Sequence, residues 1–323
     1  MSKTEILLTY PPMLGIVDRL KPRFDEAGWN VHCPEVVHTL SEDALIALLP
    51  KFEGWIIGDD PATRRVFEAG KAGQLRAVVK WGVGADNVDF DAARSLGVPI
   101  RNTPGMFGAE VADIAMSYVT ALARETFVID RGVRTGGWPK PRGISLRAKT
   151  IGVVGFGDIG RNVARRARAA ELHVRVYDPF YPPESSFDAE NGADPDLQGV
   201  TLATWPEGLD TCDFLVFCCT LTRNNRHMLN AETLALAKNG VRVVNVAQGP
   251  LIDTQALIEA LRSGKVHSVA LEVAEEEPVP SDSPLLTFER NIFGAHNASN
   301  TEEAVLATSE RAIVLLSELL TAG

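Results

Sequence analysis

The sequence predicts an α/β protein of two domains, each built on a parallel sheet, with the last helix returning to the first domain. Short apolar runs alternate with amphipathic segments almost throughout, which is the succession of strand and crossover helix that parallel sheets require. At 323 residues the chain is longer than one typical hydrophobic core supports. The alternation also halts at a long helical stretch about a third of the way along and then restarts, which marks a change of domain.

Residues 5–9, 54–58 and 76–80 read as strands of the first domain. Between them, residues 41–49 read as a helix with Ser41 as N-cap, and residues 89–96 as another, capped by Asp89 and closed by Gly97. A strand at 98–101 completes this unit. The spacing then predicts one long helix over 107–134, stopped by Gly136-Gly137-Trp138-Pro139. Strands follow at 147–154, 173–177, 213–217, 241–246 and 268–273, with a helix at 253–263 ended by Gly264. Pro179-Phe180-Tyr181-Pro182-Pro183 reads as a loop. The last helix, 301–320, comes after the second domain is complete, so it is expected to return to the first. The expected domains are residues 1–102 with 296–323, and residues 103–295.

Composition narrows the function classes. A net charge of −10 argues against nonspecific nucleic-acid binding, which needs clustered Lys and Arg to displace counterions. It leaves room for a local positive site and a small anionic ligand. No apolar run approaches the roughly 20 residues that span a bilayer, and the N-terminus has no signal-peptide core. The four cysteines, Cys33, Cys212, Cys218 and Cys219, show no metal-ligand spacing. Reduced thiols, no metal and a cytoplasmic location are therefore expected.

Gly155-Phe156-Gly157-Asp158-Ile159-Gly160 is a GxGxxG turn set between a strand and a helix, the fingerprint of a Rossmann-like dinucleotide-binding domain. Gly155 suits a tight turn, Gly157 lets backbone approach a pyrophosphate, and Gly160 allows close helix packing. Asp158 and Ile159 open the helix, whose unpaired N–H groups favour phosphate. The next strand ends in Asp178, eighteen residues after Gly160. A carboxylate there accepts the ribose hydroxyls of adenosine and repels a 2′-phosphate, so NAD is expected in preference to NADP.

Further motifs occur in order along nearly the whole chain. They are Val83-Gly84-Ala85-Asp86-Asn87-Val88-Asp89, Asn102-Thr103-Pro104-Gly105, Val111-Ala112-Asp113, the 213–222 segment, Asn245-Val246-Ala247-Gln248-Gly249, Leu271-Glu272-Val273, and Glu277-Pro278 ahead of His296. Together they resemble the D-isomer-specific 2-hydroxyacid dehydrogenases of the phosphoglycerate dehydrogenase-like type. The resemblance implies a substrate domain of flavodoxin-like fold, an NAD-binding domain, and a homodimer formed through the latter. It implies that His296 is the acid–base and that Glu277 hydrogen-bonds its other ring nitrogen. That pairing suits the chemistry, since an imidazole titrates near neutrality and a carboxylate partner favours its charged form. Thr220, Val246 and Ala247 are implied cofactor contacts, and the backbone of Val83 and Gly84 is the expected seat of the substrate carboxylate. Glu272 stands where the family has an Asp that contacts the nicotinamide carboxamide, and its extra methylene moves the carboxylate about 1.5 Å.

Three departures stand out. Gln248 occupies the position of the family's arginine, which holds the substrate's carboxylate and carbonyl oxygen. Glutamine lacks the charged bidentate fork. Losing a charged hydrogen bond costs roughly 1.5–3 kcal/mol, and losing stabilisation of a developing oxyanion costs roughly 10²–10³ in rate. Cys218-Cys219-Thr220 replaces the family's His-x-Pro, and Asp113 replaces a Glu. Lys80 is the nearest substitute cation by sequence; Arg101, Arg223 and Arg226 are others. Formate dehydrogenases share the fold but pair histidine with glutamine and keep the arginine, the reverse of this arrangement. Two functions are thus expected. One is NAD(H)-dependent interconversion of a small 2-oxo acid and its D-2-hydroxy acid. The other is an impaired or inactive NAD(H)-binding homologue, either a natural sensor of corepressor type or an engineered Arg-to-Gln variant.

Overall fold

A computed structural model describes residues 3–84, 87–181, 183 and 194–322. Ala85 and Asp86 of the first glycine loop, and Pro182 of the proline-rich loop, lie outside them. The chain divides into two compact units, Met1–Met106 with Asn300–Gly323, and Phe107–Ser299. These divisions fall four residues later than the motif boundaries at 102 and 295, and they place His296 in the second unit.

The first unit holds five parallel strands, β1 (Thr4–Leu8), β2 (Trp29–His32), β3 (Gly54–Ile57), β4 (Ala77–Lys80) and β5 (Ile100–Asn102), in the order β2-β1-β3-β4-β5. Strands β3 and β4 are buried along their whole length, as expected of a sheet covered on both faces. Helices α1 (Pro11–Leu14), α2 (Val17–Glu26), α3 (Glu42–Leu48), α4 (Arg64–Ala72) and α5 (Phe90–Ser95) make the crossovers. The Ser41 and Asp89 side chains cap α3 and α5 by accepting the Ala44 and Ala92 N–H groups.

The second unit begins with α6 (Gly108–Arg124) and α7 (Thr126–Arg134). Its sheet is built from β6 (Thr150–Val154), β7 (His173–Tyr177), β8 (Val200–Ala203), β9 (Phe214–Phe217), β10 (Val241–Asn245), β11 (Val266–Leu271) and β12 (Ile292–Phe293). All pair in parallel, in the order β12-β11-β10-β9-β6-β7-β8. The strand order reverses between β6 and β9, the switch point at which doubly wound sheets open a crevice. Helices α8 (Asp158–Ala169), α9 (Ala231–Leu236) and α10 (Thr254–Arg262) complete it. The final helix, α11 (Glu302–Ala322), packs on the first sheet, as its position in the sequence predicts. Leu316 lies against Gly54, the Trp81 indole donates to Ser309, and Arg76 donates to the Leu320 carbonyl.

The single helix expected over 107–134 is two. Glu125 sits between α6 and α7 with φ 57°, so the chain turns although the apolar spacing continues. Its carboxylate is buried and serves Arg290 and His267, a tertiary anchor invisible to periodicity. Strands β2, β8 and β12, absent from the sequence reading, are short and lie at or next to the sheet edges, where polar residues such as Asn30, His32 and Thr201 break the apolar pattern.

Burial, together with the Arg242 and Arg290 guanidinium groups, pushes the His267 imidazole down to about 4. A histidine kept neutral in the fold but titrating near 6.5 when unfolded stabilises fully above that pH, and the contribution is lost as pH falls towards 4. His267→Gln should therefore flatten the stability–pH curve between pH 4 and 6.5, removing a pH-dependent part of about 2–3 kcal/mol. Urea denaturation across that range is the check, and an unchanged slope would contradict the assignment.

Candidate active site

The parallel register of the second sheet aligns Tyr177, Val154, Phe217, Asn245, Leu271 and Phe293 in one row at its C-terminal edge. The residues that leave this row are Asp178, Gly155, Cys218, Val246, Glu272 and Gly294. The motifs separated along the sequence are therefore neighbours along one sheet edge.

At the centre of the edge, the glycines of the turn do distinct work. Gly155 has φ 95°, and a Cβ there would lie 2.6 Å from the Cys219 backbone. A Cβ on Gly160 would lie 2.0 Å from the Gly155 carbonyl oxygen, so α8 packs directly on the turn. Gly157 faces open space, with nothing within 4 Å of where its Cβ would be. No side chain caps α8, which leaves the first-turn N–H groups around Asp158 and Ile159 for an anion. Asp178 accepts the Phe156 N–H at 2.6 Å and the Phe180 N–H at 2.9 Å. Its oxygens are thereby fixed beside the turn, each with lone-pair capacity left for ribose hydroxyls. This cradle fits a dinucleotide.

The β10 end is organised by Asn245, whose buried side chain sequence reasoning did not single out. It accepts the Ala247 N–H and donates to the Gln248 carbonyl, shaping the Val246-Ala247-Gln248 turn. An Asn at the end of an apolar strand, four residues ahead of Gly249, was the available signal. The Gln248 amide makes no hydrogen bond among the described residues, so its donor and acceptor are open to a ligand. A Cβ on Gly249 would fall 1.9 Å from the Ala274 carbonyl oxygen, which packs this turn on the segment after β11.

That segment brings Glu277 to His296. His296 Nδ1 lies 2.9 Å from Glu277 Oε2, and Glu277 Oε1 accepts the Ala274 N–H at 2.9 Å. Desolvation opposes the charged Glu277 carboxylate, but the His296 contact and the Ala274 N–H outweigh it and hold Glu277 below the usual carboxylate range. Glu275 accepts from His227, Arg226 and the Thr254 N–H, so the acidic run is anchored at both ends. Glu272 is buried, 5% exposed, with one carboxylate oxygen on the Tyr118 hydroxyl and the other on the Asn297 N–H. Neither partner was found in the sequence.

Thr220 follows the two cysteines, and its carbonyl accepts the Asn225 amide. Burial pushes the Cys218 thiol well above its ordinary range, so it stays protonated and cannot take over the role of a histidine or a cation. Of the other expected groups, Lys80, Val83, Gly84 and Arg101 belong to the first unit, and Arg223 and Arg226 to the second. Lys80, its side chain 4% exposed, donates to the Gly58 carbonyl at 2.6 Å and pairs with Asp59 at 3.0 Å. Its charge is committed there. Gly82, with φ 103°, begins the loop at the C-terminal edge of β4, leaving Val83 and Gly84 exposed. Arg101 pairs with Glu318 and Arg226 with Glu275, whereas Arg223 forms no ion pair among the described residues.

Residues 116–298 match the family described as D-isomer specific 2-hydroxyacid dehydrogenase, NAD binding domain. The chain is 36% identical over 274 residues to D-3-phosphoglycerate dehydrogenase from Methanocaldococcus jannaschii, covering 84% of this chain and 50% of that protein. It is 34% identical over 271 residues to hydroxypyruvate reductase from Thermotoga maritima, covering 82% of this chain and 84% of that one. The chain thus spans about half the length of the archaeal D-3-phosphoglycerate dehydrogenases it matches. In fold it is similar to the TT0316 protein from Thermus thermophilus, with TM-score 0.86, 27% identity, and 99% and 97% of the two chains covered.

The two glycines separate folding from binding. Gly160→Ala should destabilise the protein by several kcal/mol, because backbone must move to admit the Cβ. Gly157→Ala should melt within about 0.5 kcal/mol of the parent yet bind NADH at least tenfold more weakly. Thermal denaturation and NADH fluorescence titration read the two effects. Equal melting of both variants would contradict the division of roles.

Proposed function

The chain belongs to the D-isomer specific 2-hydroxyacid dehydrogenase family, whose cofactor is NAD, and from that footing we propose that it interconverts a small 2-oxo acid and its D-2-hydroxy acid. The observation that carries the proposal is the His296–Glu277 pair at 2.9 Å, set on the same sheet edge as the glycine turn. NADH, when bound, supplies the hydride; Asp178, the Gly157 turn, Val246, Ala247 and Thr220 hold it. His296 supplies the proton. With Nδ1–H committed to Glu277, the Nε2 atom exchanges a proton with the substrate oxygen, and the Glu277 carboxylate stabilises the charged ring. Reduction thus adds one hydride and one proton to the carbonyl group, and oxidation returns both.

Gln248 turns its amide towards the substrate oxygen as a neutral donor. The Lys80 ammonium is held by Gly58 and Asp59, so it is no substitute for the arginine. A neutral donor stabilises a developing oxyanion less than a guanidinium does, so turnover is slow. One further reading has its own support. Gln248 and the protonated Cys218 thiol favour an NAD(H)-binding homologue of low turnover, a sensor or an engineered variant.

The functional form is a cytoplasmic homodimer. Helix α7 buries none of its residues, and Phe127 and Val133 on it and Trp138 just beyond it are exposed apolar side chains that a second copy would cover. Among the described residues no helix is long and apolar enough to cross a membrane.

NADH oxidation should be followed with glyoxylate, hydroxypyruvate and 3-phosphohydroxypyruvate for the parent, Gln248→Arg and His296→Asn. Slow turnover by the parent should rise about 10²–10³-fold with arginine and fall at least about 10²-fold with asparagine. If NADH binds tightly but neither the parent nor Gln248→Arg turns over, the enzyme reading fails and the binding reading stands.

A further inference from the structure

Glu272 makes more contacts to the catalytic loop than a cofactor contact requires. Its carbonyl accepts the His296 N–H at 2.9 Å, and its carboxylate accepts the N–H of the next residue, Asn297. The other carboxylate oxygen accepts the Tyr118 hydroxyl at 2.6 Å, from the buried face of α6. The Glu272 N–H itself donates to the Asn245 carbonyl at 3.0 Å, so the residue is tied to β10. A Cβ on Gly294 would fall 1.9 Å from Glu272 Oε2 and 2.8 Å from the Tyr118 oxygen, which leaves no room for a side chain on the strand that leads to His296.

The clamped backbone is of a kind that needs holding. His296 has φ 53°, a left-handed conformation that a non-glycine residue keeps only where its surroundings impose it. Two consecutive N–H groups at this turn are taken by one residue. Burial, with Glu272 second, pushes the Tyr118 hydroxyl above the ordinary phenol range, so it remains a donor. The carboxylate is longer by one methylene than an aspartate would be, and that length is used to reach Tyr118 and Asn297 together.

We infer that Glu272 and Tyr118 are positioning residues for His296: Tyr118 fixes the Glu272 carboxylate, and Glu272 fixes the His296–Asn297 backbone so that the imidazole meets Glu277. This rests on His296 being the acid–base, as proposed above. In this role the carboxylate is turned into the fold and does not carry the nicotinamide carboxamide. Misplacing a proton donor by a fraction of an ångström is felt in the chemical step far more than in cofactor affinity.

The test uses the full chain and the variants Tyr118→Phe, Glu272→Asp and Glu272→Gln, with amide hydrogen exchange at His296 and Asn297 measured alongside kcat, KM and NADH affinity. Tyr118→Phe and Glu272→Asp should speed exchange at both amides at least tenfold and lower kcat about five- to twentyfold, with NADH affinity and KM within twofold. Glu272→Gln should restore most of both, since its carbonyl oxygen accepts the Asn297 N–H and its NH₂ donates to the Tyr118 oxygen. Unchanged exchange in Tyr118→Phe and Glu272→Asp would overturn the inference, as would a tenfold loss of NADH affinity with exchange intact, which would return Glu272 to cofactor binding. Hydrogen exchange does not depend on turnover. An accelerated exchange in a protein that oxidises no NADH would therefore sustain the clamp while removing the proposed function.

Discussion

Everything in the second unit follows from six parallel strands ending level with one another. The row from Tyr177 through Val154, Phe217, Asn245 and Leu271 to Phe293 is held by main-chain hydrogen bonds, the least adjustable contacts in the molecule. Each chain leaves the row in the same direction, so a carboxylate, a glycine turn, an amide and a histidine arrive at one edge without any long-range search. The crevice at the strand reversal between β6 and β9 then gives the glycine turn its place. Side chains refine this edge. Asn245 shapes the Gln248 turn, Glu272 grips the His296 turn, and Glu275 with Ala274 steadies the segment that bears Glu277.

The chemistry divides cleanly along that edge. At the β6 and β7 ends lie the features a dinucleotide needs, namely an open glycine, uncapped helix N–H groups and a fixed carboxylate. At the β11 and β12 ends lies the His296–Glu277 pair. Between them stands Gln248, uncharged and without a hydrogen-bond partner among the described residues. The nearest substitute by sequence, Lys80, is spent on Gly58 and Asp59, so the structure does not replace the missing charge with that residue. On the proposed function, Gln248 therefore leaves the substrate oxygen without a charged partner beside the cofactor cradle and the His296–Glu277 pair.

Much of this was legible in the sequence because particular residues do jobs that few others can do. Gly155 must take a positive φ, Gly160 must admit a carbonyl oxygen, and Ser41, Asp89 and Asp253 cap helices through short side chains. Such constraints are local, and a sequence displays them. The contacts that were missed are tertiary. Tyr118 sits in a helix of small and apolar residues, 154 positions from the glutamate it meets. Glu125 interrupts a helix whose apolar spacing runs straight on, because its buried carboxylate serves a histidine and an arginine from elsewhere in the chain. Edge strands such as β2 and β8 have too little buried surface to impose a clear alternation. Glu272 was read as a shifted aspartate, whereas its extra length spans two partners that only the fold brings near.

The proposed function requires this one sheet edge to receive both the cofactor and the proton donor. A crystal structure of the NADH complex tests it most directly. In that complex the adenosine ribose hydroxyls should lie within hydrogen-bond distance of Asp178, the pyrophosphate over Gly157, and the nicotinamide C4 at the Gln248 and His296 end of the edge, with Glu272 still bound to Tyr118. A cofactor whose nicotinamide lies away from His296, or one held by the Glu272 carboxylate after its release from Tyr118, would contradict it.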